Sequence, residues 1–345
     1  MNSKIKVGIV GFGYMGQIRL KNINEHPEME VAGISDPNRE TDIVANGVTF
    51  FKEWKELVDE DIDAVIVCTP NFAIPEIAVY AMNKGRHAFC EKPPGRNYSD
   101  IQKIRDAEIN NPKTKLIFGF NHRHHPGITD AKAIIDSGSL GSVLTLRGVY
   151  GKGGGYDYHT SWRNDINVSG GGILLDQGIH MLDLFRYFVG DFVEIKGMRG
   201  ITAFDIEVED NAVVILRTAK GQMAQLHSSA TSWKHTFRLE LGCEKGYAVI
   251  SGLLSKTGSY GRETLVIGRR PSQNERMAVG NPREETIYYD HDPSWDIEIA
   301  HFADCIIHDR PITKGTSTDA LKVMQIIDEV YQLPIIHMNK SSNNK

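Results

Sequence analysis

Apolar and polar residues along the first third of the chain are arranged so that strands and helices are predicted in turn. Short apolar runs rich in β-branched residues predict buried strands, and segments whose apolar residues recur every three or four positions predict helices. The predicted strands cover residues 4–10, 30–36, 63–70, 87–93 and 115–120. The predicted helices between them cover residues 14–26, 51–60, 74–85 and 97–111. This alternation favours a parallel sheet covered by helices on both faces, over residues 1–121.

The pattern changes after about residue 121, where longer stretches of strand signal begin. The helices predicted in this part cover residues 128–138, 172–190, 295–309 and 316–332. The last of them opens with a capping box formed by Thr316 and Asp319. We therefore expect a second α/β domain with a mostly antiparallel sheet over residues 122–338, and a frayed polar tail at 339–345.

Composition narrows the class of partner. The chain of 345 residues is 41% hydrophobic and 24% charged with a net charge of −5, so nothing in the charge favours nucleic acid or an anionic membrane. The four cysteines lie far apart without a CxxC pair, which fits a reducing cytosol. The N-terminus enters a strand at once, and no apolar run has membrane-spanning length. We expect a soluble, cytoplasmic protein with a small-molecule partner.

The first predicted strand leads into a glycine-rich loop with the sequence GFGYMG. The loop consists of Gly11, Phe12, Gly13, Tyr14, Met15 and Gly16. In the GxGxxG spacing, Gly11 permits the tight turn, Gly13 lets the backbone approach a pyrophosphate, and Gly16 allows close packing of helix and strand. The N-terminus of the following helix adds donors for the phosphates. The same glycines also fit an ordinary strand-to-helix turn.

Asp36 ends the second predicted strand, twenty positions after Gly16. A carboxylate at this point can hold the ribose hydroxyls of NAD. It would repel a 2′-phosphate, which favours NAD over NADP, although Arg39 nearby opposes that preference. As the residue before Pro37, Asp36 also fits a simple turn.

Two further strand ends carry candidate residues. The third predicted strand ends in Thr69, Pro70 and Asn71, and the fourth ends in Glu91 and Lys92. Ligands of open parallel sheets bind at the carboxyl ends of the strands, so these residues are candidates to contact the nicotinamide half of the cofactor. Turn chemistry explains the proline and asparagine equally well, and a lone lysine after a strand is more often solvated.

A polar stripe follows the apolar helix predicted over about 173–188. Asp176, His180, Asp183 and Tyr187 have spacings of 4, 3 and 4, which place them on one helical face. A helix otherwise so apolar should be buried, and buried polar groups need mutual partners or a ligand. His180 therefore fits a core histidine bonded to Asp176 as well as a site residue.

Taken in order, the motifs GFGYMG, SDP, CTPN, CEKP and LLDQGIHMLDLFRYFVGD resemble the glucose-fructose oxidoreductase, inositol dehydrogenase and rhizopine-catabolism family (Gfo/Idh/MocA). The resemblance implies an N-terminal Rossmann domain, a C-terminal α/β domain with an open sheet, and a homodimer or homotetramer. It also implies hydride exchange between NAD, or NADP, and a hydroxyl-bearing carbon of a sugar, nucleotide sugar or polyol. By position it makes Lys92 the catalytic lysine, and Asp176 and His180 the aspartate and histidine of the DxxxH motif.

Oxidation of an alcohol needs a base and a group that stabilises the alkoxide, and these three residues can supply both. We expect His180 to act as the base, oriented by Asp176, and Lys92 to stabilise the developing alkoxide; a desolvated lysine can also exchange roles with the base. Two positions depart from the family pattern. Ile74 stands where many members have a histidine, which removes the basis for a contact there, and Pro94 alters the turn after the lysine.

The substrate pocket is expected from two segments rich in sugar-compatible side chains, 122–126 and 153–165. The expected substrate contacts are Lys92, Arg123, Tyr156, His159, Trp162, Arg163, Asp176 and His180. The histidines of HRHHP, namely His122, His124 and His125, also suit a metal, but the family uses none and no zinc-type spacing follows, so no metal is expected. The competing functions are a cofactor-retaining oxidoreductase, lyase or hydrolase on the same fold, and a non-catalytic NAD-binding regulator.

Overall fold

The computed structural model of the protein describes residues 4–38, 48–155, 157–270 and 283–338. Arg39, Tyr156 and the predicted tail at 339–345 lie outside these ranges. The chain divides into two compact units. The first comprises residues 1–121, 167–170 and 293–324, and the second comprises residues 122–166, 171–292 and 325–345.

The first unit contains the predicted parallel sheet. Its strands are β1 Ile5–Val10, β2 Met29–Ser35, β3 Thr49–Phe51, β4 Ala64–Val67, β5 His87–Cys90 and β6 Leu116–Phe118. Its helices include α1 Tyr14–Glu25, α2 Trp54–Asp59, α3 Ile74–Asn83 and α4 Tyr98–Asn110. Among the described residues, these six strands pair in parallel in the order β3-β2-β1-β4-β5-β6, the order of a nucleotide-binding Rossmann sheet. The predicted fold of this unit is confirmed, although β3 was missed and α2 begins later than expected.

Residues 293–324, which we assigned to the second domain, group with the first unit. They contain α8 Ser294–Ile307 and the start of α9 Ser317–Tyr331. The reason is apolar packing: the ring of Phe302 in α8 meets the ring of Phe89 in β5 edge-on at 5.8 Å, inside one buried cluster. The predicted capping box of α9 is confirmed, since the Asp319 amide donates to Thr316 Oγ1 at 3.0 Å and Thr316 Oγ1 donates to Asp319 Oδ2 at 2.9 Å.

The second unit is built on a larger, mixed sheet. Its strands are β7 Val143–Gly153, β8 Phe192–Ile201, β9 Asn211–Thr218, β10 Met223–Ser229, β11 Thr231–Cys243, β12 Gly246–Ser251, β13 Glu263–Arg269, β14 Glu284–Tyr289 and β15 Ile335–His337. Within the described ranges the strand order is β14-β13-β12-β11-β7-β10-β9-β8-β15, and every pair is antiparallel except β7 with β10 and β8 with β15. Three more helices follow 121: α5 Pro126–Asp136, the short α6 Ile166–Ser169 and α7 Ile179–Val189. The mostly antiparallel sheet is as predicted. In the part of the chain that the structure describes, no helix is long and apolar enough to cross a membrane.

A buried arginine links three elements of the first unit. Arg19 in α1 is completely buried; its Nε donates to Glu91 Oε1 at 2.7 Å and its Nη2 donates to Glu298 Oε2 at 2.6 Å. The guanidinium also lies over the rings of Phe89 at 4.3 Å and Trp295 at 4.9 Å. Burial opposes its charge, but the two carboxylates outweigh this and raise the pKa of Arg19. One guanidinium thus fixes the end of β5, immediately before Lys92, to α1 and α8.

Replacing Arg19 by Met should strongly destabilise the protein, because Glu91 and Glu298 would remain buried without their cation. Breaking such a pair typically costs about 3–5 kcal/mol, which urea unfolding would measure. Lys21→Met is the matched control: its exposed side chain lies on the same helix, 3.5 Å from Glu25, and its loss should change stability by less than about 0.5 kcal/mol. Equal stability of the two variants would contradict the prediction.

Candidate active site

The glycine loop between β1 and α1 gives each glycine a different environment. Gly11 has φ +89°, and a Cβ there would lie 2.7 Å from the carbonyl oxygen of Cys68. A Cβ on Gly16 would lie far inside van der Waals contact of the Gly11 carbonyl. Around Gly13, by contrast, no atom of the described residues outside its immediate chain neighbours lies within 4 Å of a Cβ position. The backbone itself therefore requires Gly11 and Gly16, whereas Gly13 borders open space at the N-terminus of α1, which fits a pyrophosphate.

Asp36 lies beside this loop at the carboxyl end of β2. Its Oδ2 accepts a hydrogen bond from the Phe12 amide at 2.8 Å, and its Oδ1 accepts one from the Asn38 amide at 2.9 Å. The first bond ties the carboxylate to the glycine loop, and the second is the turn bond that the simpler interpretation expects. Both interpretations of Asp36 from the sequence are thus compatible with its contacts.

The polar side chains after β4 differ in whether they already have a hydrogen-bond partner. The Asn71 side-chain amide donates to the Ser169 carbonyl at 2.7 Å, and the Phe72 amide donates to the Val168 carbonyl at 3.2 Å, which holds segment 167–170 in this unit. Asn71 therefore has a structural role. The buried hydroxyl of Thr69 has no hydrogen-bond partner among the described residues, so its donor is available at the carboxyl edge of the sheet.

Lys92 follows β5 at the same edge of the sheet. Its side chain is half-buried, and the peptide bond between Lys92 and Pro93 is cis. Glu91, which we expected at the cofactor, is buried and directs its carboxylate to Arg19. The sequence pattern gave no sign of this long-range partner.

In the second unit, α7 and the turn before it cover one face of β7. Gly148 makes this approach possible, because a Cβ there would lie 2.8 Å from the Phe185 ring. Further along the same face of β7, the Tyr150 ring lies 6.3 Å from the His180 ring. Lys152 Nζ lies 3.8 Å from Asp176 Oδ2. Tyr150 and Lys152 are two positions apart in β7 and therefore lie on the same face of the strand. This spacing is visible in the sequence and could have added both residues to the candidate site.

The predicted helix over 173–188 is interrupted by a π-helical turn, Leu174–Gly178, before α7 begins. Hydrogen bonds from the Gly172 and Leu174 amides to the buried Glu209 carboxylate fix the start of this turn. A π turn holds more residues than an α turn, so Asp176 does not continue the face of α7 at the predicted angle. Such a turn has no signature in hydrophobic spacing, which is why the sequence predicted a regular helix.

The polar stripe consequently divides into two groups. Asp183 accepts two hydrogen bonds from Arg123, at 2.7 Å from Nε and 2.6 Å from Nη2, in a buried ion pair. The Arg123 guanidinium also lies 5.0 Å from the Tyr187 ring. Arg123, expected in the substrate pocket, therefore has an internal partner of opposite charge. Asp176 and His180 face other groups.

His180 is buried, and its ring stacks on the ring of His122 with centroids 3.7 Å apart and planes inclined by 14°. His122 Nε2 lies 2.9 Å from the Tyr150 hydroxyl. The Tyr260 ring packs edge-on against Tyr150 at 5.5 Å, and burial raises the pKa of both phenols, so they are neutral at ordinary pH. His122 lies in the expected segment 122–126 but was considered only as a metal ligand, and Tyr260 was not predicted as part of the site.

The loop after β7 carries three of the expected substrate residues. His159, Trp162 and Arg163 are exposed, and the Arg163 guanidinium lies 4.5 Å from the Trp162 ring and 3.4 Å from Asp176 Oδ1. Asp176 thus has cations on both oxygens, since Lys152 approaches the other one. Tyr156, also expected here, lies outside the described residues.

Two histidines of HRHHP, His122 and His125, bond to different partners. Beside the stack of His122 on His180, His125 Nδ1 lies 2.8 Å from the Glu263 carboxylate, and both side chains are buried. In the described ranges, no group of three or more His, Cys, Asp or Glu residues is arranged to hold a metal ion.

Comparison with known proteins decides the family. The sequence model described as "Oxidoreductase family, NAD-binding Rossmann fold" matches residues 5–120, and that described as "GFO/IDH/MocA C-terminal domain" matches residues 128–249. The inositol 2-dehydrogenase of Salmonella typhimurium is 32% identical over 276 residues, which are 76% of this chain and 80% of that protein. The chain belongs to the Gfo/Idh/MocA family. It is an oxidoreductase whose first unit is an NAD-binding Rossmann domain.

Levoglucosan dehydrogenase illustrates both the likeness and its limits. The enzyme of Pseudarthrobacter phenanthrenivorans is 27% identical over 232 residues, 63% of this chain, and the match spans only 59% of that relative's length. A solved structure of levoglucosan dehydrogenase with NADH and levoglucosan superimposes with a TM-score of 0.84 at 22% identity, covering 96% of this chain and 97% of that one. At that identity the superposition shows that the fold is shared.

Gly13→Ala should leave folding intact and weaken NADH binding about tenfold or more, because its Cβ would occupy the open side of the loop. Gly16→Ala should instead destabilise the protein by about 1–3 kcal/mol through overlap with the Gly11 carbonyl. Urea unfolding and titration of NADH fluorescence separate the two effects. Unchanged NADH affinity in Gly13→Ala would contradict the assignment of the loop.

Proposed function

We propose that the protein exchanges a hydride between NAD and a carbon bearing a secondary hydroxyl on a sugar, nucleotide sugar or cyclic polyol. The observation that carries this proposal is the polar cluster of the second unit, in which Lys152 and Arg163 approach Asp176 while His180 packs with His122. A protein that only bound NAD would have no need of such a cluster. Relatives named for inositol and levoglucosan support a polyhydroxylated substrate.

The cofactor side of the proposal rests on the first unit. The loop of Gly11, Phe12, Gly13, Tyr14, Met15 and Gly16 would hold the pyrophosphate. Asp36 would bind the ribose hydroxyls, and its negative charge favours NAD over NADP. Thr69, Pro70, Asn71, Glu91 and Lys92 would border the nicotinamide half, where the hydroxyl of Thr69 is an available donor. Bound NAD supplies the hydride acceptor, so that oxidation leaves a ketone and NADH.

In the proposed reaction, His180 takes the proton of the substrate hydroxyl as the carbon loses its hydride. Asp176 stabilises the positive charge that His180 gains, and Lys92 donates a hydrogen bond to the same substrate oxygen and stabilises its developing negative charge. An exchange of roles between Lys92 and His180 as base is the alternative within this chemistry. Reduction of a ketone would use the same groups in reverse.

Substrate recognition is proposed for the exposed loop residues. Trp162 offers an aromatic face to a sugar ring, and His159 and Arg163 offer donors to its hydroxyls. Arg123 is left out because its guanidinium is paired with Asp183 inside the unit.

We also propose a cytoplasmic homodimer or homotetramer that associates through the sheet of the second unit. The support is a set of exposed apolar side chains on neighbouring strands of that sheet. They include Met198 in β8, Ile215 in β9 and Met223 in β10, each more than half exposed. Such a face is usually covered by a partner.

A panel of polyols and sugars tests the proposed activity. With NAD as oxidant, we expect NADH to form from at least one of myo-inositol, levoglucosan, glucose and glucose 6-phosphate. Turnover with NAD should be faster than turnover with NADP. Proton NMR of the same mixtures detects redox-neutral conversion, which would favour a cofactor-retaining enzyme. Tight NADH binding without any conversion across a wide panel would favour a regulator.

Lys92→Met and His180→Ala should each lower kcat by roughly 10²–10⁴, the range for loss of a charge-stabilising or acid–base group. Lys84→Met and His308→Ala are matched controls, since both side chains are about half exposed. Lys84 lies 2.7 Å from Asp59 and 5.1 Å from the Tyr80 ring, and His308 lies 3.6 Å from Asp304. Kinetics with the substrate found in the panel provide the measurement. Near-normal turnover of either test variant would overturn its assigned role.

A further inference from the structure

Two imidazole rings in the second unit lie so close that they would repel each other strongly if both were protonated. The rings of His122 and His180 are nearly parallel at 3.7 Å, and both side chains are buried. Two unit charges at about this distance repel strongly enough to separate two protonation steps by about three pH units at an effective dielectric constant of 20. The stacked pair therefore holds at most one proton over the range in which an isolated histidine titrates, and takes up a second only under much more acidic conditions.

A chain of hydrogen bonds fixes one member of this pair. The Tyr150 hydroxyl has one proton and two neighbours, His122 Nε2 at 2.9 Å and the Tyr260 hydroxyl. If Tyr150 donates this proton to Tyr260, it cannot also donate it to His122. The Tyr150 oxygen then accepts from His122, which requires the proton of neutral His122 to be on Nε2.

Charged and titratable side chains surround the pair. The rings of His125 and Phe237 pack against His122, Tyr150 packs against both rings of the pair, and Tyr260 packs against Tyr150 and His235. Arg123 and His124 follow His122 in the chain, Lys152 lies two positions after Tyr150 in β7, Asp176 lies in the π turn before α7, and Asp183 lies in α7. Arg123 is paired with Asp183, and Asp176 lies beside Lys152 and Arg163, so these charges are compensated. His180 is taken as the charged ring because of its proposed role as the base.

We propose that His122 and His180 form a one-proton pair, in which His180 accepts the proton and His122 stays neutral as its Nε2–H tautomer and holds the His180 ring in place by stacking. This rests on the proposed function in taking His180 as the base. His122 is a positioning residue in this arrangement, because it acts through His180 and its tautomer is set by Tyr150.

Nitrogen-15 NMR of ring-labelled histidine in the full-length, substrate-free protein tests the pair. Between about pH 5 and 8 the His180 signals should titrate, whereas the His122 signals should remain those of a neutral Nε2–H ring. Titration of both rings in this interval, or of His122 alone, would overturn the proposal. His122→Gln and His180→Gln assign the signals.

Tyr150→Phe tests the hydrogen-bond chain while retaining the ring that packs in the core. It should shift the His122 signals away from a pure Nε2–H tautomer, and this shift also assigns them if His122→Gln does not fold. Tyr289→Phe is the control, because it removes a comparable phenol bond in the same unit, 2.6 Å from Asp130, and should leave both rings unchanged. An unchanged His122 in Tyr150→Phe would refute the chain.

These results are independent of turnover. Titration of both rings would refute the one-proton pair even in an active enzyme, whereas full activity of His180→Ala would refute the proposed base even if the pair titrates as expected.

Discussion

The buried guanidinium of Arg19 fixes the position of the backbone that leads into the proposed catalytic residue Lys92. Arg19 joins Glu91 at the end of β5 to Glu298 in α8, residues that lie 72 and 279 positions away from it in sequence. The cluster is compact because Gly119 has no side chain: a Cβ there would lie 2.8 Å from the Glu91 carboxylate. Since Lys92 is the next residue after Glu91, the turn that carries it is fixed at one end by this ion cluster.

The second unit applies the same rule, that buried polar groups occur with partners. Asp183 binds Arg123, His125 binds Glu263, and the Glu209 carboxylate accepts from the Tyr331 hydroxyl and two backbone amides. These closed arrangements account for several polar residues that looked like site candidates in the sequence. Asp176 differs from them because its neighbours, Lys152 and Arg163, are cations on partly exposed positions.

The features that the sequence predicted well are those with a local cause. Strand and helix periods, the glycine spacing and the capping box at Thr316 each depend on residues a few positions apart, and each is found in the structure. The grouping of 293–324 with the first unit, the partner of Arg19 and the π turn at Leu174 depend on contacts between distant segments. Such contacts have no period in a single sequence, so they could not be predicted from it.

The geometry of the polar cluster depends on a residue without a side chain. The distance between α7 and β7 is set where Met181 and Phe185 occupy the space beside Gly148. Because side chains on one face of a strand are two positions apart, that approach also fixes Tyr150 opposite His180 and Lys152 opposite Asp176. A side chain at position 148 would push the helix outward and lengthen both distances together. The chemistry proposed for His180 and Asp176 therefore rests on apolar packing as much as on the polar residues.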